Sequence, residues 1–118
     1  TRFEDMPVWQ DAIDFAVAIY ELTKTMPTSE KYGITSQIQR SASSISANIA
    51  EGFGRKSQND RAHFYKIAYG SLLETKNCIY LCKRLGYVQI EDEVRLIATC
   101  ENLQNQINAI LRYFKNHD

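Results

Sequence analysis

Four times along this chain, apolar side chains recur at alternating steps of four and three, a rhythm that suits helices burying one face and little else. Val8, Ala12, Phe15, Ile19, Leu22 and Met26 form the first stripe, which opens after Asp5 and Pro7 and closes at Pro27. Pro27, Thr28, Ser29 and Gly33 make a turn region. Ile38, Ala42, Ile45 and Ile49 mark the second stripe, ending at Gly52 and Gly54. Ser57, with Asp60 three residues later, has the form of a capping box opening a third helix. That helix carries Phe64, Ala68, Ser71, Thr75, Cys78, Cys82 and Leu85, and Gly86 suits its left-handed cap. Leu96, Cys100, Leu103, Ile107, Ile110 and Phe114 form the fourth stripe, from about Ile90 to the last few residues.

No segment alternates apolar and polar residues as a half-buried strand does, and five glycines and two prolines are too few for a sandwich of short strands. Short connections make successive helices antiparallel, and spacing near 3.5 favours left-handed crossing at roughly 20°. The expected fold is all-α: a left-handed, up-down-up-down, antiparallel four-helix bundle using residues 1–118 as one domain. No run reaches the 18 or so apolar residues of a membrane span. The opening residues lack the basic-then-apolar pattern of a secretory signal, so no membrane partner and a cytoplasmic location are expected. Cys78, Cys82 and Cys100, an odd set inside apolar stripes, read as reduced core thiols. A zinc site is the rival, but neither His63 nor His117 sits in a ligand motif to complete it.

The third helix carries more apolar surface than a lone bundle needs. At 100° per residue, Tyr65, Tyr69, Leu72, Leu73 and Tyr80 run from the core stripe toward the outside. On the second helix, Ser43, Ala47, Ala50 and Gly54 lie opposite the isoleucines and permit close backbone approach. Both features point to self-association, since large exposed apolar patches mark interfaces; the alternative is tyrosines snorkelling at the bundle edge. Arg40, Ser44, Ala47, Glu51 and Arg55 share one line. Glu51 and Arg55 are spaced for a local ion pair, while Arg40 and Glu51 also suit pairing across subunits, or the arginines an anion-binding channel.

Fourteen basic and fourteen acidic residues cancel, so any case for a polyanionic ligand rests on local asymmetry. Residues 34–84 hold eight basic side chains against three acidic ones, and both ends of the chain compensate. A positive surface on helices two and three would bind phosphates in a salt-sensitive way; solvated helix faces are the plainer explanation. Arg40, Arg55, Lys56, Arg61 and Lys66 are the candidate nucleic-acid contacts. Gly52-Phe53-Gly54-Arg55-Lys56-Ser57 lacks the spacing and preceding strand of a phosphate loop and reads as two helix caps, although Arg55 and Lys56 beside free amides suit a single phosphate. Catalytic and metal motifs are lacking: there is no His-Glu-x-x-His, no Gly-x-Ser-x-Gly and no Glu-x-x-His pair. The expectation is a non-enzyme without cofactor.

Longer motifs narrow the reading. Val8-Trp9-Gln10 with Ala12, Tyr20 through Thr23 to Pro27, Tyr32-Gly33-Ile34 and Gln37-Ile38-Gln39-Arg40 are followed by Ser44-Ile45, Asn48-Ile49-Ala50-Glu51-Gly52 and Arg55-Lys56-Ser57. Ala68-Tyr69-Gly70-Ser71-Leu72-Leu73-Glu74 and Leu85-Gly86-Tyr87 complete the set. Over nearly its whole length the chain resembles the four-helix bundle proteins encoded by 23S ribosomal RNA intervening sequences. The resemblance implies a homopentamer around a central channel, as in the related accessory variability proteins of diversity-generating retroelements. Those relatives bind nucleic acid through basic surfaces and contact a reverse transcriptase, so RNA or DNA and such a protein are the implied partners. The interface residues expected on this reading are Ser43, Ala47, Ala50, Glu51, Gly54, Tyr65, Tyr69, Leu73 and Tyr80. Gln39-Arg40 stands where the family commonly has two adjacent arginines, which removes one positive charge per subunit.

Overall fold

The computed structural model describes residues 1–117. Its four helices are α1 (Pro7–Thr23), α2 (Ile34–Phe53), α3 (Gln58–Arg84) and α4 (Ile90–Asn116), with single 3-10 turns at Phe3–Asp5 and Thr28–Glu30. Among the described residues there is no strand. Pro7 begins α1, where its missing amide costs no hydrogen bond. Ser57 caps α3 by accepting from the Asp60 amide at 3.1 Å. At the other end of α3, Gly86 has φ +81°, and the Tyr87 and Gly86 amides donate to the Cys82 and Lys83 carbonyls at 2.9 and 3.0 Å. This is a Schellman ending, and a side chain at residue 86 would strain it.

Each helix packs on two neighbours. α1 lies against α2 and α4, α3 lies against α2 and α4, and the most extensive contact is between α2 and α3. The bundle measures 46 × 23 × 21 Å, so its long axis is set by the two 27-residue helices. One core joins all four: Phe15 and Ile19 from α1, Ile38, Ile45 and Ile49 from α2, Tyr65, Leu72 and Ile79 from α3, Leu96, Leu103 and Ile107 from α4. The Glu30 carboxylate accepts from the Ile34 amide at 3.3 Å and from the Tyr87 hydroxyl at 2.8 Å, tying the α1–α2 connection to the α3–α4 connection.

α3 is rotated relative to the sequence expectation. Tyr65 and Leu72, expected on an uncovered flank, are only 2% and 0% exposed, whereas Leu85, expected in the core, is 48% exposed. The cause lies in the partner helix. α2 meets α3 with small and polar residues, Ser41, Ser44, Asn48 and Gly52, and these draw the Ser71 and Thr75 edge of α3 toward α2. The larger Tyr65, Leu72 and Ile79 then fill the centre. Ser71 Oγ lies 3.0 Å from Ser44 Oγ, and Asn48 Nδ2 donates to Ser44 Oγ at 2.9 Å. Thr75 Oγ1 is 2.8 Å from Ser41 Oγ and 2.9 Å from the Ser71 carbonyl, and Ser41 Oγ is 3.2 Å from the Ile38 carbonyl. Two hydroxyl protons satisfy this buried group, whichever of the two consistent directions they take. Near the close of α2 the two helices approach tightly, and a Cβ on Gly52 would lie 3.1 Å from Phe64 Cβ.

Candidate nucleic-acid interface

The connection between α2 and α3 folds three cations around one corner of the bundle. Gly54 and the Ser57 cap turn the chain, so Arg61 on α3 reaches back to the Arg55 backbone with Lys56 in the connection between them. The Arg55 guanidinium lies 4.6 Å from the Phe64 ring centroid and 2.9 Å from Glu51 Oε1. Arg61 Nε donates to the Arg55 carbonyl at 2.8 Å, closing an acceptor left free at the end of α2. The local Glu51–Arg55 pair expected from spacing is therefore present; both side chains stay half exposed, and such a pair contributes little to stability. Its effect is to hold Arg55 in place.

The remaining two candidates are elsewhere. Lys66 faces the groove between α3 and α4, beside Arg112 and Lys115. Arg40 lies thirteen residues before Phe53, the last residue of α2, about 20 Å from that end at 1.5 Å per residue, and its guanidinium is 3.9 Å from Glu74 on α3. The five predicted contacts thus do not form one patch. What the structure gathers instead is an end of the bundle, where the close of α2, the start of α3 and the close of α4 meet. Arg55, Lys56, Arg61, Lys66, Arg112 and Lys115 lie there, with Glu51 and Asp60 as the nearby acids on these elements. Local sequence does not reveal Arg112 and Lys115 as members, because they join the others only through antiparallel packing.

The expected interface residues also divide. Ser43, Ala47, Glu51 and Gly54 are exposed and Ala50 is half buried, leaving a face of small side chains on α2. Leu73 and Tyr80 are exposed at 43% and 45% and share one line of α3, and Leu81, a quarter-turn round the helix, is exposed at 44%. Tyr65 is removed from this surface: it lies in the core, edge-on to Phe114 at 5.6 Å, and burial pushes its phenol above the usual pKa. Tyr69 is half buried between α3 and α4. Gln104 Nε2 donates to its hydroxyl at 3.3 Å, and this bond, with a second from Asn108, lowers the phenol pKa. Lys76 in turn donates to Gln104 Oε1 at 3.1 Å, so the network holds Tyr69 within the protomer.

The three cysteines are buried. Burial raises the thiol pKa of all three, to about 11 for Cys82 and about 12 for Cys100, which opposes thiolate as nucleophile or ligand. Among the described residues, no group of three His, Cys, Asp or Glu side chains converges on a point. No described helix is long and apolar enough to cross a membrane.

Fold and motifs together define an all-helical bundle protein with a basic end. Residues 4–109 match the family model of the 23S rRNA-intervening sequence protein, and the chain belongs to that family. It is also similar to a crystal structure at 1.70 Å resolution of a protein with unknown function from the S23 ribosomal protein family of Bacteroides thetaiotaomicron VPI-5482. The TM-score is 0.80 at 25% identity, over 88% of this chain and 97% of that one. No curated protein matches.

Proposed function

We propose that this protein is a non-enzymatic, cytoplasmic, homo-oligomeric bundle, a pentamer, that binds RNA or DNA phosphates through its basic end. The carrying observation is the corner formed by Arg55, Lys56 and Arg61. Arg55 is held against Phe64, and Lys56 stands exposed in the connection. Guanidinium groups held at a helix junction beside an exposed ammonium fit phosphate oxygens, and an oligomer repeats the corner once per subunit. Arg40 acts apart from it, either toward a neighbouring subunit or along a separate anion path.

Self-association is supported by two exposed features, the apolar Leu73, Tyr80 and Leu81 on α3 and the small-residue face of α2. Light scattering at micromolar concentration should return a multiple of the 13.6 kDa chain mass, and Leu73→Lys with Tyr80→Lys should reduce it to the monomer. A monomeric parent protein would refute this part.

Binding of a fluorescent structured RNA should weaken steeply with salt. Arg55→Ala plus Lys56→Ala should lower the affinity and reduce the salt slope by roughly one for each phosphate no longer neutralised. Unchanged affinity in that variant would overturn the assignment. The same apolar strip supports a second reading, a protein-interaction scaffold or accessory subunit contacting a partner such as a reverse transcriptase. Nuclease-resistant recovery of a polypeptide partner, with no RNA bound at low salt, would favour it.

A further inference from the structure

The groove between the start of α3 and the end of α4 has the composition of a ligand site. It encloses about 410 Å³, within the range of roughly 300–1,000 Å³ typical of small-ligand pockets. Lys66, Arg112 and Lys115 line it, and among the described residues no carboxylate does. Ala62, Leu111 and Phe114 present apolar surface to the same space, and Asn108 adds an amide. The positive end of α3 and the negative end of α4 lie side by side there, so their dipoles oppose each other and the side chains decide the sign.

A bare anion would use the three cations and leave the apolar wall wet. A purely apolar ligand would bury that wall and strand the charges. Both halves are satisfied by an anionic group joined to a flat, largely apolar body that carries hydrogen-bonding edges. Gln58 adds a third requirement: it lines the groove, and its Oε1 is shut off from water without a donor, the one such side-chain atom among the described residues. Turning that amide toward an incoming N–H would relieve it.

We infer that the α3–α4 groove binds a nucleoside monophosphate unit, supplied either as a free nucleotide or as the phosphorylated end of a strand. Lys66, Arg112 and Lys115 take the phosphate, Leu111 and Phe114 pack against the base, and Asn108 and Gln58 meet its polar edge. Arg55 and Lys56 lie outside the groove, so this site does not depend on the corner they form.

Calorimetric titration at low salt with adenosine 5′-monophosphate, adenosine, inorganic phosphate and a 5′-phosphorylated pentaadenylate tests it. The monophosphate should bind roughly tenfold tighter than adenosine or inorganic phosphate, and Lys66→Ala and Arg112→Ala should each weaken it by roughly tenfold, the loss of one charge-assisted hydrogen bond. Lys31→Ala, in the α1–α2 connection, serves as the control that leaves binding intact. Equal affinity for monophosphate and pentanucleotide identifies a free nucleotide as the source; tighter binding of the pentanucleotide, with displacement of the monophosphate, identifies a strand end. Absence of binding by both, binding no tighter than inorganic phosphate, or affinity indifferent to both substitutions would overturn the site. The pentanucleotide titration is made in the Arg55→Ala plus Lys56→Ala protein, which keeps the groove and lacks the corner, so the two assignments fail separately.

Discussion

Cys100 on α4 and Cys82 on α3 show how burial sets the chemistry of a single side chain. Each thiol lies in the apolar core, and taking a thiolate out of water is costly, so the pKa climbs from 9.0 to about 12 and about 11. In the native protein both thiols should resist an aromatic disulfide reagent at pH 8 and react once denaturant is added; rapid native labelling would contradict their placement. The folded state keeps these protons to higher pH than the unfolded chain does. Their contribution to stability is therefore intact below about pH 9 and declines as pH rises toward 11 to 12, which urea melts across that range will register. The cysteine burial was legible from their positions in the apolar stripes. The burial of Tyr65 was not, because residues 64 and 65 both lie within reach of a wide core face and the choice belongs to the neighbouring helix.

At the scale of elements, boundaries were more legible than orientations. Pro7, Ser57 and Gly86 act through local backbone chemistry and mark their helix ends where the sequence places them. The rotation of α3 instead depends on α2, whose small residues admit Ser71 and Thr75 and leave Leu73, Tyr80 and Leu81 outside. Gly52 tests that account. Gly52→Val would press a branched side chain into Phe64, already 3.1 Å from a bare Cβ, and should cost about 2 kcal/mol in chemical denaturation. Gly54→Ala meets only the Glu51 carbonyl at 3.6 Å and should shift stability by less than about 0.5 kcal/mol. Equal effects would mean that α2 and α3 do not approach so closely at Gly52. The basic end has the same partial legibility: Arg55, Lys56 and Arg61 are neighbours in sequence, while Lys66 meets Arg112 and Lys115 only once α4 returns beside α3.

Across the whole molecule, one core threads all four helices without a break between halves. Unfolding should accordingly be a single cooperative event, with far-UV and near-UV circular dichroism giving coincident thermal transitions at fixed protein concentration. Separated transitions would show that the α2–α3 pair or α4 melts alone. Apolar packing by itself has little sense of position along an axis, since greasy surfaces trade one neighbour for another when a rod slides. Alcohols seated at set heights are less forgiving. A shift of α2 by one helical turn, about 5.4 Å, would unseat Ser41 from Thr75 and Ser44 from Ser71 at once, and would carry Arg55 off the Phe64 ring. These hydroxyl pairs act as detents, keeping the rods flush and the charged pole aligned.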